Sequence, residues 1–245
     1  MRHTESLWQK MSSAVAPFPR GVADIQTPIQ GTAFFPGGYG LWSLDDDPTG
    51  QIMVLGQDFN SVRVHKQALL DGTEVHSSTT WRELKKILAA NGISPHRCFF
   101  TNVYMGLRDG GSEEGQFPGL PGIRRSQEFK DFTKRCLDFF HMQLHFFRPK
   151  LIFTLGLEPL KALATGVFGI PKPFSLTACT DIYRHIKLPH GSTTVVPLTH
   201  PSRYRLNIDK RKYGPELGAK AEMFMIADGL QAAFPDKAIT GPFSI

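Results

Sequence analysis

The sequence predicts a three-layer α/β/α sandwich around a central, mainly parallel sheet of four strands. Two observations carry that expectation. Four short runs, at residues 51–55, 98–101, 151–155 and 193–198, are nearly all apolar or β-branched. None of them alternates, which is the pattern of strands covered on both faces. Helical stretches stand between them, and strand–helix alternation implies right-handed crossovers between parallel neighbours.

Taken in order, residues 1–30 are polar and punctuated by proline, and are expected to form an N-terminal arm or an outer helix. Residues 31–245 are expected to form a single domain, a size that one α/β domain with a tail can reach. After the first strand, Asn60 or Ser61 is placed to cap a helix over 62–70. The hydroxyls of Ser77, Ser78, Thr79 and Thr80 precede a helix over 81–88, which Asn91 and Gly92 end. Residues 127–147 put Phe129, Phe132, Cys136, Phe139, Phe140 and Leu144 at helical spacing, a core stripe rather than a ligand box. A short helix over 157–165 and a last one over 216–234 complete the reading.

Composition bounds the function. With 41% hydrophobic and 20% charged residues, a normal core is attainable and global disorder is not expected. A net charge of +6 and a pI near 9.3 suit a polyanionic partner, and equally an ordinary basic enzyme. Cys98, Cys136 and Cys179 are scattered with no C-x-x-C, so zinc and iron–sulfur frameworks have no support and a reducing cytoplasm fits. No run is apolar enough to span a bilayer, and the N-terminus has no apolar core like that of a secretory signal.

Open parallel sheets bind ligands beyond the carboxyl ends of their strands. At those ends stand Gly56-Gln57-Asp58-Phe59-Asn60, then Asn102, Gly156, and Thr199-His200-Pro201-Ser202-Arg203. A partly desolvated Asp58 can act as a base on water. The Asn102 amide can match the edge of a base. His200 can donate to an oxygen that becomes anionic. Alone, Asp58 is better read as a capping or loop carboxylate and Asn102 as a strand-end turn residue, and His200 suits a structural loop; the three at one sheet edge point to an active-site crevice.

Those residues carry a resemblance. The G-Q-D of Gly56 to Asp58, the strand ending in Asn102, the P-x-x-I-x-x-L-G of Pro149 to Gly156 and the H-P-S of His200 to Ser202 are similar, in order, to the uracil-DNA glycosylase superfamily. The resemblance implies hydrolysis of the N-glycosidic bond of uracil or a related deaminated base in single- or double-stranded DNA, on a nucleotide flipped out of the stack. It implies that Asp58 orients water, that Asn102 reads the base with Gln57, Phe59 and Asn60 around it, and that His200 stabilises the leaving base. No metal or redox cofactor is implied, and a monomer is expected. Ser202, Arg203, Tyr204 and Arg205 are the expected DNA contacts, with the basic run 210–213 as either a further contact or a solvated face. The glycine-rich loop over 106–122 is expected to close over nucleic acid near Arg108, Arg124 and Arg125, or to serve as a long crossover.

The resemblance has departures. The best-known uracil enzymes follow G-Q-D with Pro-Tyr, the Tyr ring helping to exclude thymine; here Phe59 and Asn60 stand there. Phe59, His76 and Trp81 are candidates for the stacking ring, Trp81 being assigned to the core. Arg203-Tyr204 replaces Pro-Leu after H-P-S. Three cysteines exclude the four-cysteine iron–sulfur branch. Two further readings stay open: a nucleic-acid-binding member with weak or no catalysis, and a hydrolase of free nucleosides or nucleotides.

Overall fold

The computed structural model describes residues 3–109, 117–118, 122–166, 175–188 and 191–236. In chain order its elements are α1 (His3–Val15), β1 (Val22–Ala23), β2 (Ile52–Gly56), α2 (Val62–Asp71), α3 (Thr79–Ala90), β3 (Cys98–Asn102), β4 (Leu107–Arg108), α4 (Gln127–Phe147), β5 (Leu151–Leu155), α5 (Leu157–Gly166), β6 (Tyr183–Leu188), β7 (Gly191–Leu198), α6 (Tyr204–Asn207), β8 (Lys212–Tyr213), β9 (Glu216–Leu217) and α7 (Gly218–Ala233). The class is the expected one, helices on a central, mostly parallel sheet. That sheet has five strands rather than four, in the order β3-β2-β5-β7-β6.

The four expected strands are present, and β2, β3 and β5 are buried at every position. The strand that sequence reading missed is β6. It runs antiparallel to β7 at the sheet edge and alternates polar with apolar residues, half exposed. An edge strand needs no continuous apolar run, which is why its pattern is quiet. Its ladder shifts register between Tyr183 and Ile186, and His185 there has a φ of 54°, as at a bulge.

The chain divides into two compact units. The first comprises Met1–Asp46, Gly56–Glu74 and Phe99–Phe146. In it α1 buries Leu7, Met11 and Val15, and α4 buries its whole stripe from Phe129 to Leu144. Phe35 stacks on Phe139 at 6.0 Å, and the Thr101 hydroxyl donates to Gln143 at 2.7 Å, seating α4 against β3. Ser61 is the cap of α2, accepting from the Val64 N–H.

The second unit comprises Asp47–Leu55, Val75–Cys98 and Phe147–Ile245. In it β2, β5 and β7 are parallel, with Ile52 beside Leu151 and Leu151 beside Thr194. Their carboxyl ends therefore share one edge of the sheet. Ser78 caps α3 through the Trp81 N–H, as its position predicts. The last helix begins at Gly218 rather than at Glu216, because Glu216 and Leu217 pair with Lys212 and Tyr213 in a small ladder. All three cysteines are buried and none is in a disulfide among the described residues. Among the described residues no helix is long and apolar enough to cross a membrane, and no group of His, Cys, Asp and Glu could hold a metal.

Candidate active site

In the first unit, Gly56 at the end of β2 has no room for a side chain. A Cβ there would overlap the Asn102 Oδ1. Asn102 is 2% exposed, and its amide donates to the Phe35 carbonyl at 3.0 Å. The loop after β2 is tied to the segment after β3 by Val103 N–H to Gly56 O and Tyr104 N–H to Gln57 O. The Gln57 side-chain oxygen accepts from the Phe117 N–H and from Arg124. Phe59 is 6% exposed, its ring closely packed on Gly37 and edge-on to His65 at 5.4 Å.

The Asp58 carboxylate sits 3.3 Å from Arg108 Nε, both side chains about nine-tenths buried. Burial pushes the Asp58 carboxyl up from the usual carboxylate range, and Arg108, the Asn60 backbone and Arg124 pull it back in part. The Asn60 Oδ1 accepts from the Ser61 N–H at 2.8 Å and from Arg108 Nη2 at 2.9 Å. Both lone pairs of that oxygen are engaged, so Asn60 has only amide N–H groups to offer a base. Gln57, Asp58, Phe59, Asn60 and Asn102 thus belong to one cluster, whose arginines are Arg108 and Arg124. Arg108 was expected beside nucleic acid; it is instead 9% exposed and engaged with Asp58. Arg125 is exposed. Of the loop over 106–122, residues 110–116 and 119–121 lie outside the described residues.

In the second unit, His200 follows β7. Gly156 at the end of β5 has a φ of 88°, and a Cβ on it would come within 3.1 Å of the His200 Cβ. The Leu-Gly turn therefore needs glycine both for its left-handed backbone and for the approach of His200. The His200 Nδ1 accepts the Ser202 N–H at 3.2 Å, with the Ser202 hydroxyl at 2.8 Å. A ring nitrogen that accepts a backbone N–H carries no proton, so the neutral ring bears its hydrogen on Nε2. Burial pushes the imidazole down to about 4, and the charge of Arg203 pushes the same way. At neutral pH His200 is an uncharged Nε2–H donor.

Buried charge holds this loop. The Thr199 N–H donates to Glu222 Oε2 at 2.6 Å, and Glu222 lies 3.7 Å from Arg211 Nε, with side-chain exposures of 2% and 1%. Arg211 also donates to the carbonyls of Leu176, at 2.6 Å, and Pro197, at 2.6 Å. The N–H and C=O of a strand residue point to the same side, so Pro197 directs its missing N–H towards Arg211 and away from β5. The β6 ladder has already ended at Val195, and proline is tolerated there. Arg211 is thus spent inside the unit rather than offered to phosphate. Ser202, Arg203 and Arg205 are exposed, and Tyr204 is half-buried. Trp81 is fully buried with His76 against it at 5.0 Å, as its core assignment predicts.

Sequence reading missed Glu222, read Arg211 only as part of a basic run, and missed Leu206. The first two act across turns of chain that no local pattern links. Leu206 did leave a signal: an apolar residue within a basic stretch, 66% exposed on α6.

No curated protein matches the chain. The model of the uracil DNA glycosylase superfamily matches residues 46–219, well over half of the chain and the stretch that contains Asp58, Asn102 and His200. On this match the chain belongs to the uracil DNA glycosylase superfamily.

Proposed function

We propose that the chain is a DNA glycosylase that excises uracil or a related deaminated base. The observation that carries this reading is the neutral, Nε2-protonated His200, the donor that a departing base anion requires. In the reaction the C1′–N bond breaks with its electron pair going to the base, which leaves as an anion bonded by the His200 Nε2–H. Water adds to the oxocarbenium-like C1′, and the Asp58 carboxylate takes its proton. Asn102 keeps a second amide N–H beyond the one given to Phe35, and in this reading offers it to the base. Arg203 and Arg205 meet phosphates, and Leu206 enters the gap left by the flipped nucleotide.

The test is a panel of oligonucleotides, single- and double-stranded, carrying uracil, hypoxanthine or xanthine. Asp58→Asn and His200→Ala are each expected to slow release of the preferred base by about 10²–10⁴-fold. A wild-type chain that releases none of the three bases would sink the reading. A second reading, DNA binding with little catalysis, is favoured by the bond of Asn102 to Phe35 and by the buried ring of Phe59. It predicts salt-dependent DNA binding without base release.

A further inference from the structure

Asn60 stands at a φ of 129°, a region that residues other than glycine rarely adopt. Such strain persists only where the surroundings impose it. Here they converge on Arg108. The Asn60 carbonyl accepts the Arg108 N–H at 2.9 Å, and the Asn60 Oδ1 accepts Arg108 Nη2 at 2.9 Å. On its other side the Arg108 backbone pairs with Val22 in the β1–β4 ladder. The backbone is thus held from two sides and the guanidinium from a third, with Nε 3.3 Å from the Asp58 carboxylate. Among the described residues, the Arg108 Nε and Nη1 are buried without a hydrogen-bond partner. Burying a cation this way is costly, and the adjacent carboxylate is what offsets it.

We propose that Arg108 is a positioning residue that keeps Asp58 ionised for water activation, and that Asn60 is the residue that holds Arg108 to that task. This rests on the glycosylase reading of Asp58. A buried carboxyl reverts to the neutral acid unless a cation opposes it, and a neutral acid takes no proton from water. Arg108 from β4 and Arg124 from the turn Ile123–Arg125 are the charged groups that act on Asp58 among the described residues, with Arg108 the stronger. The proposal also gives the departure at position 60 a physical sense. A short amide reaches both the Ser61 N–H and Arg108, whereas a phenol carries its oxygen a ring's length away.

The experiment follows the Asp58 carboxyl ¹³C resonance against pH in the full chain, beside the pH dependence of single-turnover base release. The variants are Arg108→Met, Arg108→Lys and Asn60→Gly. Asn60→Gly removes the anchoring oxygen while relieving the positive φ, so it folds even if Arg108→Met does not. The Asp58 midpoint is expected to rise by about one to three pH units in Arg108→Met, by less in Asn60→Gly, and to return towards wild type in Arg108→Lys. The acid limb of base release should move with it. An Asp58 midpoint unchanged in folded Asn60→Gly and Arg108→Met would overturn the proposal; if Arg108→Met does not fold, Asn60→Gly alone decides. A wild-type chain that releases no base refutes the glycosylase reading, whereas the carboxyl titration separately decides whether the clamp sets the charge of Asp58.

Discussion

The surroundings of Asp58 and of His200 solve one problem in opposite ways. In each, burial drives a titratable group towards its neutral form. Around Asp58, Arg108 and Arg124 oppose burial and pull the carboxyl back towards charge. Around His200, Arg203 works with burial, and the imidazole falls to about 4. Cations stand beside both groups; what differs is the sign of the group they face. On the proposed reading a general base must be charged and a donor to a departing anion is best neutral, so the same kind of neighbour suits each group.

The largest effect is expected at Glu222. Glu222→Ala leaves the buried Arg211 without its carboxylate and should cost about 3–5 kcal/mol in chemical denaturation. Glu222→Gln keeps an acceptor for the Thr199 N–H and should cost less. If Glu222→Ala melts like wild type, buried charge does not hold the His200 loop. Next is Gly156→Ala, which adds a side chain at positive φ and against His200. A loss of roughly 1–3 kcal/mol is expected, and a folded, fully active variant would remove the close approach from the account.

A smaller effect sharpens the contrast in protonation. Arg203→Ala removes a like charge, so the His200 midpoint should rise from about 4 towards 6.5, read from its imidazole resonances. The sign also reaches stability. In the unfolded chain His200 protonates near 6.5 and in the folded chain near 4, so its contribution is present above 6.5 and is lost as pH falls towards 4. An unmoved midpoint in Arg203→Ala would leave burial as the only cause. The smallest stability effect is expected for Leu206→Ala, within about 0.5 kcal/mol because the side chain is exposed. Its DNA affinity or base release should fall nonetheless. Unaltered binding and turnover would exclude Leu206 as the wedge.

Much of the fold was legible. Strands β2, β3, β5 and β7 announce themselves as continuous apolar runs because both their faces are covered. Ser78 and the stripe of α4 are equally plain, since caps and helical periodicity are local properties. β6 was not legible, because a half-exposed edge strand with a bulge reads like polar loop. Gly56, Asp58, Asn102 and His200 were picked out by standing at strand ends. Their partners were not: Arg108 read as a loop cation, and Arg211 as part of a basic run, because burial cannot be told from charge alone.

The class of the fold, the strand ends at which chemistry-bearing residues stand, and the motif order that leads to the superfamily can all be read along the chain. These follow from periodicity and from residue types at fixed offsets along the chain. Which charges are spent inside is a property of the folded chain. Whether an arginine meets a carboxylate, a carbonyl or water depends on what distant segments bring to it. Through that, distant segments bring Arg108 against Asp58, bond Asn60 to Arg108, and leave His200 pushed towards its neutral form by burial and Arg203.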